Sequence, residues 1–439
     1  MNRVTAAYLA AGAEPDSPLR TAGHHLPFVP SYGKAYGQRQ FARPLFVPEE
    51  HLRSAAADLT MLHELVVALP DRLFDGDVAR LCAELGMGEQ LTAFAVAGRA
   101  RGTTPAYCRP DLFYDGESFK CLELNTGSEL GGVDWAELNE AYLRVPEFRA
   151  FAEEHKLGFV DIGLEIVTYL RNLAAPITGG HTNPVVAMID ISANMAYYHD
   201  HYQSFVEHMA ARDIDIRITH IKDVGTRDGK LTVADGTPID IAMRYFTLDE
   251  ICADPHAEEW LAPVLKADQD GRTAFFASLD HGIYANKGLF AMICDLRDRG
   301  ELSGAEAAMV ERIMPTTRRV TPALWDECRG RQRELVLKPS SGLSGSGVTV
   351  GWTVTAEEWE AAFQHALTEP YVAQDVIEPM LEPVHDGDGL QEWVPVYGMF
   401  LFAQGYSGCW VRTLPVGENA VINLGTGAMF STVFTFTGE

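Results

Sequence analysis

Apolar residues recur at three- and four-residue spacing between Pro48 and Phe74. Leu59, Leu62, Leu65, Val66 and Leu69 fall on one face, which predicts a helix. Residues 88–98 read as a second helix, and VDWAELNEAYLRVPEFRAFAEEH as a third. Between these two, CRPDLFYDGESFKCLELNTGSELGG reads as strand, turn, strand and glycine-rich loop, with Asp115-Gly116 marking the hairpin. Residues 20–47 are rich in Pro, Gly and aromatics and read as irregular chain.

A composition shift at 171–184 predicts a domain boundary. Past it, PVVAMIDI is a short apolar run of the buried parallel-strand kind. HDHYQSFVEHMAARD follows as a helix and IDIRITHIKDV as another strand, so the alternation predicts a doubly wound unit. LTVADGTPIDIAMRYF reads as a hairpin and a strand, and residues 257–267 and 286–298 as helices. Beyond about residue 310, short strands alternate with one helix, TAEEWEAAFQHAL, and the last forty residues are β-rich.

The chain has 439 residues, enough for two or three domains. Hydrophobic residues make up 47% and charged residues 22%, which fits a globular chain with a large core. Its 61 acidic and 35 basic residues give a net charge of −26. That balance argues against a nucleic-acid surface, which needs clustered Lys and Arg, and against docking on an anionic membrane. The first residues lack a signal-peptide pattern, and no apolar run approaches the length of a membrane span. Seven scattered Cys without a CxxC pair argue against a zinc cage or a disulfide framework, and fit the reduced thiols of a cytoplasmic protein.

Two segments carry candidate chemistry. In ELVLKPSSGLSGSGVTVGW a strand delivers Lys338 at its end. A loop with Ser341, Gly342, Gly345 and Gly347 follows, leading into a second strand. Backbone N–H groups in such a loop can cradle phosphate oxygens, with Lys338 adding a point charge. The lysine precedes the glycines, so this is not a Walker A loop. Downstream, EPYVAQDVIEPMLEP reads as a strand running through Ile377 into a linker that could bind adenine. Gln374 or Asp375 could meet the exocyclic amine, and Glu378 or Glu382 could reach ribose hydroxyls. Taken alone, the loop reads equally well as a flexible turn, and each polar residue as a solvated one.

The second segment is the hairpin at 109–125. Arg109 and Asp111 stand two residues apart, as do Glu123 and Asn125, so each pair shares a strand face and Leu122 and Leu124 point the other way. Asp111, Glu123 and Asn125 then offer hard oxygen ligands to Mg²⁺ (or Mn²⁺) that also holds nucleotide phosphates. Arg109 could contact a phosphoryl group or a substrate carboxylate. A bare hairpin with solvated acids is the competing reading. Ser128 could bond a substrate carboxylate or cap the next helix, and Arg244 could contact an acid substrate or form a structural ion pair. His199 and His201 read as a helix N-terminal turn rather than as metal ligands.

The strand lysine, glycine loop and hinge resemble the ATP-grasp superfamily. With the hairpin placed first, the order resembles the circularly permuted ATP-grasp ligases, similar to the glutathionylspermidine synthetase domain and to antibiotic-pathway peptide ligases. Arg109, Asp111, Glu123 and Asn125 reproduce that domain's R-x-D, eleven residues, E-x-N spacing. The resemblance implies an α/β and α+β architecture, an ATP-grasp fold with a Rossmann-like domain ahead of the clamping lobe. It divides the chain into 1–175, 176–285, 286–395 and 396–439. It implies that Lys287, in the Asn286-Lys287 pair, contacts ATP phosphates and that Arg412 reaches the reaction centre. It further implies ATP and Mg²⁺ as cofactors, small-molecule carboxylate and amine substrates, and ADP-forming amide ligation. A homodimer is compatible with this reading. The Ala, Gly, Arg and Asp bias, with the family analogy, suggests a peptide-like amide of specialised metabolism. A phosphotransferase and a non-catalytic nucleotide-binding protein on the same fold are the alternatives.

Overall fold

The computed structural model describes residues 1–99, 106–127, 130, 132–180, 183–342, 345–386, 389–417 and 421–438. A seven-stranded sheet organises the molecule. Its order is Leu45–Pro48, Met429–Phe436, Gly405–Pro415, Gly389–Phe402, Tyr107–Tyr114 and Phe119–Thr126, with Glu382–Asp386 also paired to Gly389–Phe402. The predicted hairpin is thus the outer pair of a sheet whose other strands come mostly from the C-terminal end of the chain. One strand, Gly389–Phe402, runs across residues 395 and 396, so the division expected there falls inside a strand rather than at a linker.

One face of this sheet is apolar and packs on the helix Glu49–Phe74. Leu52, Leu59 and Leu62 from the helix share a buried cluster with Leu112, Leu124, Met399 and Val411 from the strands. The other face carries the polar residues. Leu124 points into the core as expected, but Leu122 does not. Asp111 pairs with Glu123 and Leu112 with Cys121, so a β-bulge leaves Leu122 as the extra residue, and it lines a cavity instead.

The second unit is a four-stranded parallel sheet, Asp215–His220, Val185–Asp190, Ile241–Arg244 and Ala274–Phe276 in that order, the doubly wound arrangement predicted from the alternation. The segment 171–184, where a boundary is expected, holds the passage from a helix to the first strand of this sheet, Val185–Asp190. Residues up to Thr178 are the end of a helix, Ile162–Thr178, closed by Gly179 at φ +67°.

The third unit is a small antiparallel sheet of Thr317–Arg319, Tyr371–Asp375, Leu335–Pro339 and Thr349–Val350. The helix Ala356–Ala366 covers it, started by a Thr355–Glu358 capping box and burying Trp359 and Phe363.

Three local expectations change. The helix expected over 133–155 breaks into Ala136–Arg144 and Pro146–Glu154, because Val145 precedes a proline and takes an extended conformation. The stretch at 20–47 contains the helix Pro30–Tyr36 and the strand Leu45–Pro48. Beyond 300 there are further helices, Gly304–Ile313 and Trp325–Gly330. All seven cysteines are free thiols. Among the described residues, no helix is long and apolar enough to cross a membrane.

Candidate functional site

Strand register assembles the polar face of the large sheet. Asp111 stands opposite both Glu123 and Gly398, and Gly398 is opposite Trp410. Arg109 is opposite Asn125 in the adjacent row. Residues directly opposite, and those two apart on one strand, share a face. Arg109, Asp111, Glu123, Asn125, Trp410 and Arg412 therefore meet on one surface, although the hairpin and the strand that carry them lie almost 300 residues apart.

Their contacts are close. Arg412 donates to one Asp111 carboxylate oxygen, and the Arg109 Nε lies 3.7 Å from the other. Both guanidinium groups lie over the Trp410 ring, at 5.0 and 5.2 Å from its centroid. Arg109 also donates to the Leu130 carbonyl. The indole fits only because residue 398 is glycine. A Cβ there would lie 2.2 Å from Trp410 Nε1 and 3.1 Å from Arg109 Cδ. Gly398→Ala is therefore expected to lower stability by about 1–3 kcal/mol through overpacking. Urea unfolding checks this, and an unchanged midpoint would show that the indole is free to shift.

The small lobe faces this surface with cations. Lys338 Nζ donates to Gln374 Oε1 at 2.6 Å, and Gln374 is held in turn by its Nε2 donating to the Thr317 hydroxyl at 3.1 Å. Lys287 Nζ lies 3.1 Å from Glu123 Oε2. Its backbone N–H bonds the Ser340 carbonyl at 2.7 Å, docking the Asn286-Lys287 turn against the end of the lysine strand. Burial alone would raise the Glu123 pKa. Lys287, Lys338 and Arg412 outweigh that and hold its carboxyl well below the usual range. Burial lowers Lys338 to about 8, with Glu123 opposing the shift and Lys287 adding to it. Gly342, Gly345 and Gly347 all have positive φ, the conformation a phosphate-cradling turn requires.

One cavity of about 430 Å³ connects these groups. It is lined by Arg109, Asp111, Glu123, Asn125, Lys287 and Lys338, and also by Ser341, Gly342, Gly345, Gln374, Asp375, Ile377 and Arg412. Asp375 is engaged by Arg331 at 2.8 Å, and the backbone N–H groups of Asp375 and Val376 donate to the Thr316 and Glu334 carbonyls, each at 2.8 Å.

Two expected residues lie elsewhere. Glu382 is buried and paired with the equally buried Arg43 at 2.6 Å, so it is a structural charge and not a ribose contact. Arg244 is 1% exposed and donates to the carbonyls of Ala277, Phe246 and Ser278, which fixes it in the parallel unit away from the cavity lining. Ser128 lies outside the described residues. The sequence reading passed over Trp410, yet its position two residues before Arg412 on a strand was a usable signal. Tyr36 and Trp135, which also line the cavity, carry no such local sign.

The donor set can be tested against a divalent cation. Among the described residues, none hydrogen-bonds the buried Asp111 Oδ1. Asn125 spends its amide N–H on the Arg109 carbonyl at 3.1 Å, leaving its oxygen to offer. With Glu123, this gives two carboxylates and one amide oxygen, hard ligands suited to Mg²⁺ shared with phosphates. Among the described residues, no group of three or more His, Cys, Asp and Glu could hold a metal unaided.

No family model matches the chain, and no curated protein matches it in sequence. Solved structures do. A glutathione synthetase-like effector from Globodera pallida superposes with a TM-score of 0.56 at 10% identity, covering 99% of this chain and 95% of the other. A γ-glutamylcysteine synthetase-like protein from Methylobacillus flagellatus KT gives a TM-score of 0.43 at 12% identity, over 88% and 89% of the two chains. The D-cycloserine synthetase gives 0.30 at 16% identity, over 52% of this chain and 67% of that one. The first of these likenesses runs end to end through both chains and is one of fold. In fold, the chain is thus similar to this glutathione synthetase-like effector, and in its own sequence the Asp111–Asn125 hairpin precedes the Lys338 lobe.

Proposed function

We propose that the chain is an ATP-dependent carboxylate–amine ligase that works through an acyl phosphate. One observation carries this reading: a single cavity is lined on one side by Arg109, Asp111, Glu123, Asn125 and Arg412, and on the other by Lys338 and the glycine turn. Lys287, Lys338 and the N–H groups near Gly342 and Gly345 hold the polyphosphate. The backbone at Ile377 takes the adenine edge. Asp111, Glu123 and Asn125 would hold Mg²⁺, which when bound would offset phosphate charge.

A carboxylate oxygen attacks the γ-phosphorus, and the bond to the β-bridging oxygen breaks, releasing ADP. Arg109 and Arg412, fixed over Trp410, stabilise the acyl phosphate and the oxyanion that forms when the amine attacks its carbonyl carbon. Phosphate then leaves and the amine nitrogen gives up one proton. No covalent enzyme intermediate is needed. A peptide-like amide of specialised metabolism remains the proposed product class.

The reading is tested by incubating the chain with ATP, Mg²⁺ and pooled carboxylates and amines, followed by mass spectrometry. A conjugate lighter by one water than its two components is expected. A phosphorylated product without an amide would instead make the chain a phosphotransferase.

The Lys338 environment gives a pH prediction. Its pKa of about 8 lies below the usual lysine value, so its charge is present at pH 7 and lost as pH rises. Nucleotide affinity is expected to fall about tenfold between pH 7 and pH 9. Lys338→Arg, which stays charged, should flatten that profile in a fluorescent-nucleotide titration. A wild-type profile that is already flat would contradict the role given to Lys338.

A further inference from the structure

The wall of the cavity built by the parallel unit has a chemistry unlike the rest. It contributes Asn194, Tyr198, His201, Tyr202, Tyr245 and Glu250. Among the described residues, every Lys and Arg lining the cavity, namely Arg109, Lys287, Lys338 and Arg412, comes from elsewhere in the chain. The wall's rings form a connected set. Tyr36 packs edge-on to His201 at 4.7 Å and lies 5.1 Å from Trp135. Tyr198 lies 5.8 Å from His201, and Tyr202 meets Tyr245 edge-on at 5.3 Å. The Tyr202 hydroxyl donates to buried Asp190, so this phenol's proton is directed to a carboxylate behind the wall. Burial lowers the His201 pKa, so its imidazole adds no positive charge at neutral pH.

Among the described residues, Glu250 supplies the single carboxylate of this wall's lining. One of its oxygens accepts from the Thr247 backbone N–H at 2.7 Å, within a capping box that fixes the side chain. Aromatic faces together with one carboxylate attract a single desolvated cation and a flat apolar body. They repel a carboxylate, whose place is by Arg109 and Arg412. A polyamine would bring more ammonium groups than the wall has acids to pair them.

Resting on the ligase reading, we propose that this wall binds the amine substrate, and that this substrate is a primary alkylamine bearing an aromatic ring, with one ammonium and no carboxylate of its own. The ammonium pairs with Glu250 and the ring lies among Tyr198, Tyr245 and Tyr36. The wall thereby sorts the two substrates by charge, the acid to the arginines and the amine to the tyrosines.

The test is calorimetric titration of the full chain with phenethylamine, phenylalanine and spermidine, with a non-hydrolysable ATP analogue and Mg²⁺ titrated separately. Phenethylamine is expected to bind at least about tenfold more tightly than the other two. Glu250→Gln keeps the capping-box geometry. It is expected to weaken phenethylamine about tenfold, as is Tyr198→Ala on the exposed rim, with nucleotide affinity unchanged. Spermidine or phenylalanine binding as tightly as phenethylamine would overturn the proposal, as would an unaltered Glu250→Gln. Nucleotide binding without any phenethylamine binding would overturn it while leaving the ligase reading in place. Absence of nucleotide binding would overturn the ligase reading, and the proposal with it.

Discussion

Glu123→Gln is expected to reduce ATP turnover by about 10²–10³-fold while leaving the chain folded. The carboxyl is ionised because three cations surround it: Lys287 at 3.1 Å, with Lys338 and Arg412 nearby. The amide keeps the shape and removes the charge. Lys287 and Lys338 then repel each other without their shared counterion, and a hard oxygen ligand is lost beside Asp111. Both changes weaken phosphate positioning at the step where charge moves. The check is ADP release in a coupled assay, read beside the melting temperature of the same preparation. Turnover within threefold of wild type would remove Glu123 from the reaction centre; a collapsed melting temperature would instead make it a structural charge.

Arg43→Ala is expected to destabilise the fold by about 3–5 kcal/mol. Arg43 is 1% exposed and each of its three guanidinium nitrogens donates one hydrogen bond: to Glu382 at 2.6 Å, to the Pro383 carbonyl at 2.9 Å and to the Pro44 carbonyl at 3.0 Å. It ties the segment entering one edge of the large sheet to the strand Glu382–Asp386 beyond the opposite side of Gly389–Phe402. Deleting it leaves a buried carboxylate without a counterion. Arg43→Met combined with Glu382→Leu removes both charges and should recover most of the loss. Urea unfolding of the single and double variants checks this. Glu382→Gln should lower the midpoint and leave nucleotide affinity alone. The reverse pattern would return Glu382 to the ribose.

What could be read in the sequence followed from short-range spacing. Asp111 and Glu123 were legible because a strand places residues two apart on one face and an Asp-Gly turn closes the hairpin. Lys338 and its glycines were legible because positive-φ turns need glycine. The doubly wound unit showed itself as apolar runs alternating with an amphipathic helix. What was hidden depends on register between distant strands. Nothing local announces that Gly398 leaves space for Trp410, or that Trp410 carries Arg109 and Arg412 together. The Leu122 bulge is likewise invisible to a strict two-residue alternation. Glu382 and Arg244 were misplaced for one reason: an isolated charge in sequence does not reveal whether a partner 339 residues away, or a ring of carbonyls, will bury it.

The central claim is that ATP activates a carboxylate as an acyl phosphate. Phosphorus NMR of the chain with ATP, Mg²⁺ and an ¹⁸O-carboxylate pool tests it most directly. The expected result is ADP together with inorganic phosphate that carries one ¹⁸O from the acid. AMP with pyrophosphate, or phosphate free of the label, would contradict it.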